Sequence, residues 1–260
     1  MRALYSAASG MSAQQIKMDN IANNLANVST TGFKKVRESF QDLYYQQLQS
    51  PGTETADGSQ DSTGVQVGHG VQLSSLRRSF EQGAAEVTGN ATDLMIDGPG
   101  FFVVQMPDGT EGYTRDGSFR MDSEGNMITI DGAMLSPAVS IPEGSMVSIG
   151  QDGTVTIKIE GEEGETQAGQ ILIANFANPA GLQSEGHNLF RATEASGDAL
   201  VGAPMDTGLG GIVQGALESS NVDVAEELVN LIRAQRSYEL VSKVIEASDE
   251  VLQTTNQIKR

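Results

Sequence analysis

The two ends of the chain carry the same apolar rhythm, and that rhythm leaves little choice about how they fold. Leu4, Ala8, Met11, Gln15, Met18, Ala22 and Leu25 recur at alternating spacings of four and three, the seam of a heptad helix. Val224, Leu228, Leu231, Gln235, Tyr238, Ser242, Ile245, Asp249 and Leu252 repeat it at the other end. The first thirty residues therefore predict one helix. No glycine lies between Gly10 and Gly32 and no proline precedes Pro51, so nothing in the backbone interrupts it. Asn27, Ser29, Thr30, Thr31 and Gly32 break it, with Gly32 suited to a positive φ. For the C-terminal helix, Ser219 or Ser220 can cap. Asp223, Glu226 and Glu227 suit its first turn, and Lys259 and Arg260 its last. Each seam holds one glutamine, Gln15 and Gln235, able to fix register through a buried hydrogen bond. A seam of alanine, methionine and glutamine is weak alone and needs partners. Two core helices of one compact domain is the alternative reading.

The middle of the chain has a different character. Thirty glycines against seven prolines point to many tight turns. Pro107-Asp-Gly109, Asp116-Gly117, Ser123-Glu-Gly-Asn126, Asp131-Gly132 and Asp152-Gly153 mark them. Between the turns lie short strand-forming runs such as Phe101 to Val104, Met127 to Ile130, Val155 to Ile159 and Ile171 to Phe176. The expected fold class is α+β. The terminal helices pack as a coiled-coil-like domain (residues 1–32 with 217–260), and a central all-β sandwich or open barrel occupies 76–216. A connecting segment, 33–75, carries a long β-hairpin. The conformation of 37–49 is open between helix and strand, and the hairpin is favoured by the alternation Val65, Val67, then Val71 and Leu73. Ser50 to Gly64 reads as a loop tip, and Gly208 to Gly215 as a glycine-rich linker.

Several chemistries are excluded. The chain has no cysteine, so disulfides, thiolate catalysis and Cys-based zinc sites are out. A formal charge of −18 argues against nucleic-acid binding. That charge is uneven. Between Met121 and Phe190 the only Lys or Arg is Lys158, against ten acids from Asp122 to Glu185, whereas the first 37 residues carry Arg2, Lys17, Lys34, Lys35 and Arg37 with only Asp19 opposing. His69 and His187 stand apart with no metal-ligand spacing. Asp122-Ser-Glu-Gly-Asn126 lacks the ligand spacing of a calcium loop. A carboxylate pair for glycoside hydrolysis forms in space and leaves no spacing to read; nothing in the sequence supports one. No catalytic residue, cofactor site or metal site is expected. The longest apolar runs are far too short for membrane insertion. Gln14, Lys17, Asp19 and Asn20 interrupt any N-terminal apolar region, so no cleaved signal peptide is expected.

Three separated motifs carry a resemblance. Asp19-Asn-Ile-Ala-Asn-Asn-Leu-Ala-Asn27 with Ser29-Thr-Thr-Gly-Phe-Lys34, then Gly98-Pro-Gly-Phe-Phe-Val103 with Tyr113-Thr-Arg-Asp-Gly-Ser-Phe119, then Glu218 to Ile232 with Gln235-Arg-Ser-Tyr-Glu239, resemble the flagellar rod and hook axial family along essentially the whole chain. The segment holding Tyr44, Tyr45, Leu48, Val65, Val67 and Val71 is similar to that of the family's distal-rod members, in which it is held to keep the rod straight. One departure is the unusually acidic stretch 160–165. The resemblance implies a non-enzymatic subunit of the basal-body distal rod, exported unfolded by the flagellar type III apparatus. It also implies terminal helices that order on assembly into a rigid hollow shaft passing motor torque to the hook. The implied partners are further copies of itself, other rod subunits, the hook or hook-junction proteins, and the P- and L-ring bushing. A proximal-rod or short hook-like subunit is the nearest alternative, and a cell-wall glycan enzyme a remote one.

Overall fold

Helix α1 (Arg2–Ala26) and helix α2 (Val224–Ile258) form where the heptad spacing places them, in a computed structural model that describes residues 2–49, 64–142, 144–159, 164 and 166–258. The loop read at Ser50 to Gly64 lies outside the described residues except for Gly64, as do Lys259, Arg260 and all but Gly164 of the acidic stretch 160–165. α1 stops at Ala26. The turn that follows is tied by Thr30 N–H to Asn27 O (3.1 Å) and Phe33 N–H to Thr30 O (3.2 Å). Gly32, at φ 67°, sits inside the Thr30–Phe33 turn rather than at the helix end.

The chain divides into two units. The first holds α1, α2 and residues 36–77. In it β1 (Val36–Asp42) pairs with β4 (Val71–Arg78), and β2 (Tyr45–Gln49) with β3 (Val65–Gly68). Residues 37–49 are thus strand except at Leu43 and Tyr44, the hairpin alternative. No residue of this ribbon is fully buried, although one face of β1 (Val36, Glu38, Phe40) is half covered.

The second unit, residues 27–35 and 78–222, is β throughout apart from one short 3-10 turn. Its largest sheet has nine antiparallel strands with Phe101–Gln105 near the centre, hydrogen-bonded to Glu111–Thr114, Met134–Leu135 and Ile173–Asn175. A three-stranded sheet (Ser145–Ile149, Thr154–Ile159, Thr166–Gln170) lies beside it in sequence. None of the sheets described closes into a barrel. Successive side chains of a strand point to opposite faces. The uninterrupted run Phe101-Phe-Val-Val104 therefore feeds two cores at once. Phe102 and Val104 join Leu94, Ile96, Phe119, Leu135, Val155 and Ile173; Phe101 and Val103 join Tyr113, Phe176 and Phe190.

The glycine-rich segment expected to be a linker is partly a strand. Gly211–Gln214 pairs with Leu94–Asp97, and Ile212 is buried in the larger core. Its glycines mask a short alternating pattern whose apolar member completes the packing. Gly117 is required sterically: a Cβ there would lie 1.6 Å from the carbonyl oxygen of Leu94. Phe102 is wholly buried and meets Phe119 edge-on at 5.2 Å. Phe102→Ala should lower the stability of this unit by about 3–5 kcal/mol, read as a shift in its urea midpoint.

Candidate assembly interface

Asp223 starts α2. Its Oδ1 accepts the amides of Ala225 (2.8 Å) and Glu226 (3.2 Å). The serines offered as caps are used elsewhere: Ser219 Oγ donates to Glu86 Oε2, and Ser220 Oγ accepts the Val222 amide. The first turn's Glu226 and Glu227 favour the helix's positive end.

α1 and α2 pack on each other. On α2 the covered face runs through Glu227, Leu231, Ala234, Tyr238, Val241, Ile245 and Ser248, a four-three spacing one step from part of the expected seam. Leu231, Tyr238 and Ile245 therefore lie on the covered face, whereas Val224 (41% exposed), Leu228 (44%) and Gln235 do not. On α1 the buried residues among those described are Ala7, Ala13, Ile21 and Asn24. Leu4, Met11, Met18 and Leu25 are half-buried along one edge of that face, and Ala8, Gln15 and Ala22 are exposed. The two seam glutamines thus point to neither helix's covered face within one chain.

Away from its α1 face, α2 shows a second apolar stripe. Val229, Ile232, Leu240, Val244, Val251 and Ile258 are each 46% exposed or more, at spacings that place them together on the opposite side of the helix. Burying one such side chain fully is worth about 1.5–3 kcal/mol, so six of them form a substantial unsatisfied surface. The ribbon behaves similarly. Tyr44 (90%), Tyr45, Leu48 and Val65 are exposed, and Val67 and Val71 are half-buried.

Asparagines of the N-terminal motif have a role that periodicity did not signal. Asn24, buried in α1, accepts the Val36 amide with Oδ1 (3.0 Å) and donates to the Val36 carbonyl with Nδ2 (2.9 Å), standing in for a neighbouring strand. One turn earlier, Asn20 Nδ2 donates to the same carbonyl and to Glu38 Oε2. The spacing of four puts both amides on one helix face, where β1 begins. They line a polar cavity of about 210 Å³ with Lys17, Glu38, Glu227 and Asn230.

In the second unit, Lys34, Arg115 and Glu218 form a buried charge cluster from three distant parts of the sequence. Glu218 Oε1 binds Lys34 Nζ and the Gly83 amide (2.8 Å), and Oε2 binds Arg115 Nη1 (3.2 Å). Lys34 Nζ also donates to Glu81 O, and Arg115 to the carbonyls of Ile96 and Gly98. Loss of hydration lowers the Lys34 ammonium's pKa, against the pull of Glu218, and Arg115 is depressed for the same reason. Arg78 lies between the rings of Phe33 (5.6 Å) and Phe190 (5.3 Å). Gly32 closes the approach, since a Cβ there would meet the Arg115 carbonyl carbon at 2.8 Å.

His69 hydrogen-bonds Tyr44 O, and His187 faces Asp131 at 2.8 Å in an exposed turn. Among the described residues no three His, Asp or Glu side chains are grouped as a metal would need. No described helix is long and apolar enough to cross a membrane.

Comparison with known proteins matches three stretches to families. Residues 4–34 match the flagella basal body rod protein family, 95–157 the flagellar hook protein FlgE/F/G D1 domain, and 213–258 the flagellar basal body rod FlgEFG protein C-terminal family. The whole chain is 46% identical to the flagellar basal-body rod protein FlgG of Borreliella burgdorferi, covering 99% of it. It is 43% identical to FlgG of Caulobacter vibrioides, with all of both chains covered, and 44% identical to that of Buchnera aphidicola from Schizaphis graminum, with 98% of each. Asn24→Ala, which takes the side-chain acceptor from the Val36 amide and leaves the Val36 carbonyl to Asn20 alone, should cost the helical unit about 1–3 kcal/mol. Faster hydrogen exchange at the Val36 amide is the measurement that checks it.

Proposed function

The chain belongs to the flagellar basal-body rod protein family and is a structural rod subunit, and from that premise we propose how it assembles and what the assembly does. It polymerises through its terminal helices into a rigid, hollow distal rod that carries motor torque to the hook. The observation that carries this reading is the second apolar stripe of α2: one chain covers one face of that helix and leaves the other for a neighbour. The expected seam residues Ala8, Gln15 and Ala22 of α1, with Val224, Leu228 and Gln235 of α2, are exposed in the single chain, as contacts between copies require. Leu4, Met11, Met18 and Leu25 border them, while Leu231, Tyr238 and Ile245 support the pairing within the chain. The exposed Tyr44, Tyr45, Leu48 and Val65 offer a further contact between subunits, one that would stiffen the tube.

Rod proteins of this family belong to the flagellar basal body. On the present reading the chain reaches it unfolded through the type III export apparatus, joins other rod subunits and the hook or hook-junction proteins, and turns within the P- and L-ring bushing. It performs no catalysis.

Joint replacement of Ile232→Asp and Val244→Asp should abolish tubular polymers in electron micrographs while leaving the β unit's urea midpoint unchanged. Tubes of normal yield from that variant would sink the assignment. Concentrating the unaltered protein should raise its helical circular dichroism as straight tubes appear; a helical monomer that never polymerises would contradict the reading.

A further inference from the structure

We propose that Lys34, Glu218 and Arg115 form a coupling latch, through which the connector 27–35 and the strand Ala216–Glu218 each hold their place on the β unit only when the other is seated. The inference deepens the rod reading and rests on it for its consequence: the two connectors continue into the two assembly helices, so the latch makes their attachments share load.

The argument begins with charge. The cluster holds two cations against one carboxylate, with the Lys34 and Glu218 side chains wholly buried and Arg115 nearly so. A buried ion that loses its partner is far costlier than a pair removed together. If the strand Ala216–Glu218 lifted away, Lys34 would keep one of these hydrogen bonds, to the Glu81 carbonyl, and Arg115 would keep those to Ile96 and Gly98 and its place over the Phe101 ring at 5.6 Å, neither with a bonded carboxylate. If the connector lifted away, Glu218 would lose Lys34 from its side chain and the Gly32 amide (2.7 Å) from its backbone oxygen.

Neutral contacts run alongside. Asn221 accepts the Lys35 amide (2.7 Å), gives its own amide to Phe33 O, and donates its side chain to the carbonyls of Ser79 and Glu81. Arg78, held against the Phe33 ring, donates to Lys34 O. Every residue from Gly32 to Lys35 is thereby bonded to, or stacked on, a group outside the connector. The part of the N-terminal motif that follows the helix, Thr31-Gly-Phe-Lys34, is thus the docking half of the latch, and Glu218-Ser-Ser-Asn221 is the receiving half.

The test is hydrogen exchange on the full chain, dilute enough to stay monomeric, in four forms: unaltered, Glu218→Gln, Lys34→Met, and both together. Glu218→Gln keeps an acceptor for Gly83 but leaves two cations unopposed. It should speed exchange at Gly32 and Lys35 by roughly 100-fold, with Val104 and Ile157 in the core unchanged. Adding Lys34→Met to it should recover at least tenfold of that loss, because it removes the stranded ammonium. Additive loss in the double variant would overturn the latch, as would an effect of Glu218→Gln confined to Gly83. If Glu218→Gln fails to fold while the double variant folds, the recovery is shown by folding itself. An unaltered chain that forms no tubes on concentration would defeat the rod reading, while the monomer's exchange would still decide the latch.

Discussion

A helix that is apolar on opposite sides has to be covered twice, and this chain supplies one cover. α1 shields the Leu231, Tyr238 and Ile245 side of α2; among the described residues, nothing in the first unit shields Val229, Ile232, Val244 and Val251. The rest of the architecture follows from that imbalance. The β unit has two cores built from its own residues. Among the described residues of α1, four apolar or amide positions are buried, while the outer stripe of α2 stays exposed. On the proposed reading, folding and assembly are divided between the two units: one closes its core in a single chain, and the other would complete its burial against copies.

Polar groups set the positions that the apolar surfaces leave loose. Asn20 and Asn24 seat the start of β1 on α1, and Asn221 seats the connector on the β unit. Apolar contacts tolerate sliding, whereas a hydrogen bond to a particular backbone group does not. The charge cluster adds a stricter condition, because a buried cation without its carboxylate is heavily penalised. Several residues of the sequence motifs that carried the resemblance, Asn20, Asn24, Phe33, Lys34, Arg115, Glu218 and Asn221, fall on these joints.

The two helices, the strand-rich middle and the ribbon were legible because each rests on a local period or on turn residues: four-three spacing, Asp-Gly pairs, and the Val65–Leu73 alternation. The strand in Gly211–Gln214 was hidden, since four glycines around it outweigh one buried isoleucine in any local reading. The helix face was legible only in part. Ala8, Gln15 and Ala22 have the right spacing, yet α1's covered side runs through Ala7, Ala13, Ile21 and Asn24, because the period does not say which of two neighbouring stripes meets the chain's own partner. The asparagine clamps and the Lys34–Arg115–Glu218 cluster left no periodic trace. Their members are far apart in sequence, and each residue alone reads as an ordinary surface group.

The clamp of Asn20 and Asn24 on Val36 consists of amide groups meeting a peptide group, with no titrating atom in the Val36 bonds. Ion pairs at a surface weaken in salt and vanish when a carboxylate is protonated. An amide clamp ignores both. The hold on the Val36 peptide group is thus blind to the medium, whereas the neighbouring Asn20–Glu38 bond and the Lys17–Glu38 ion pair at 3.8 Å both answer to it.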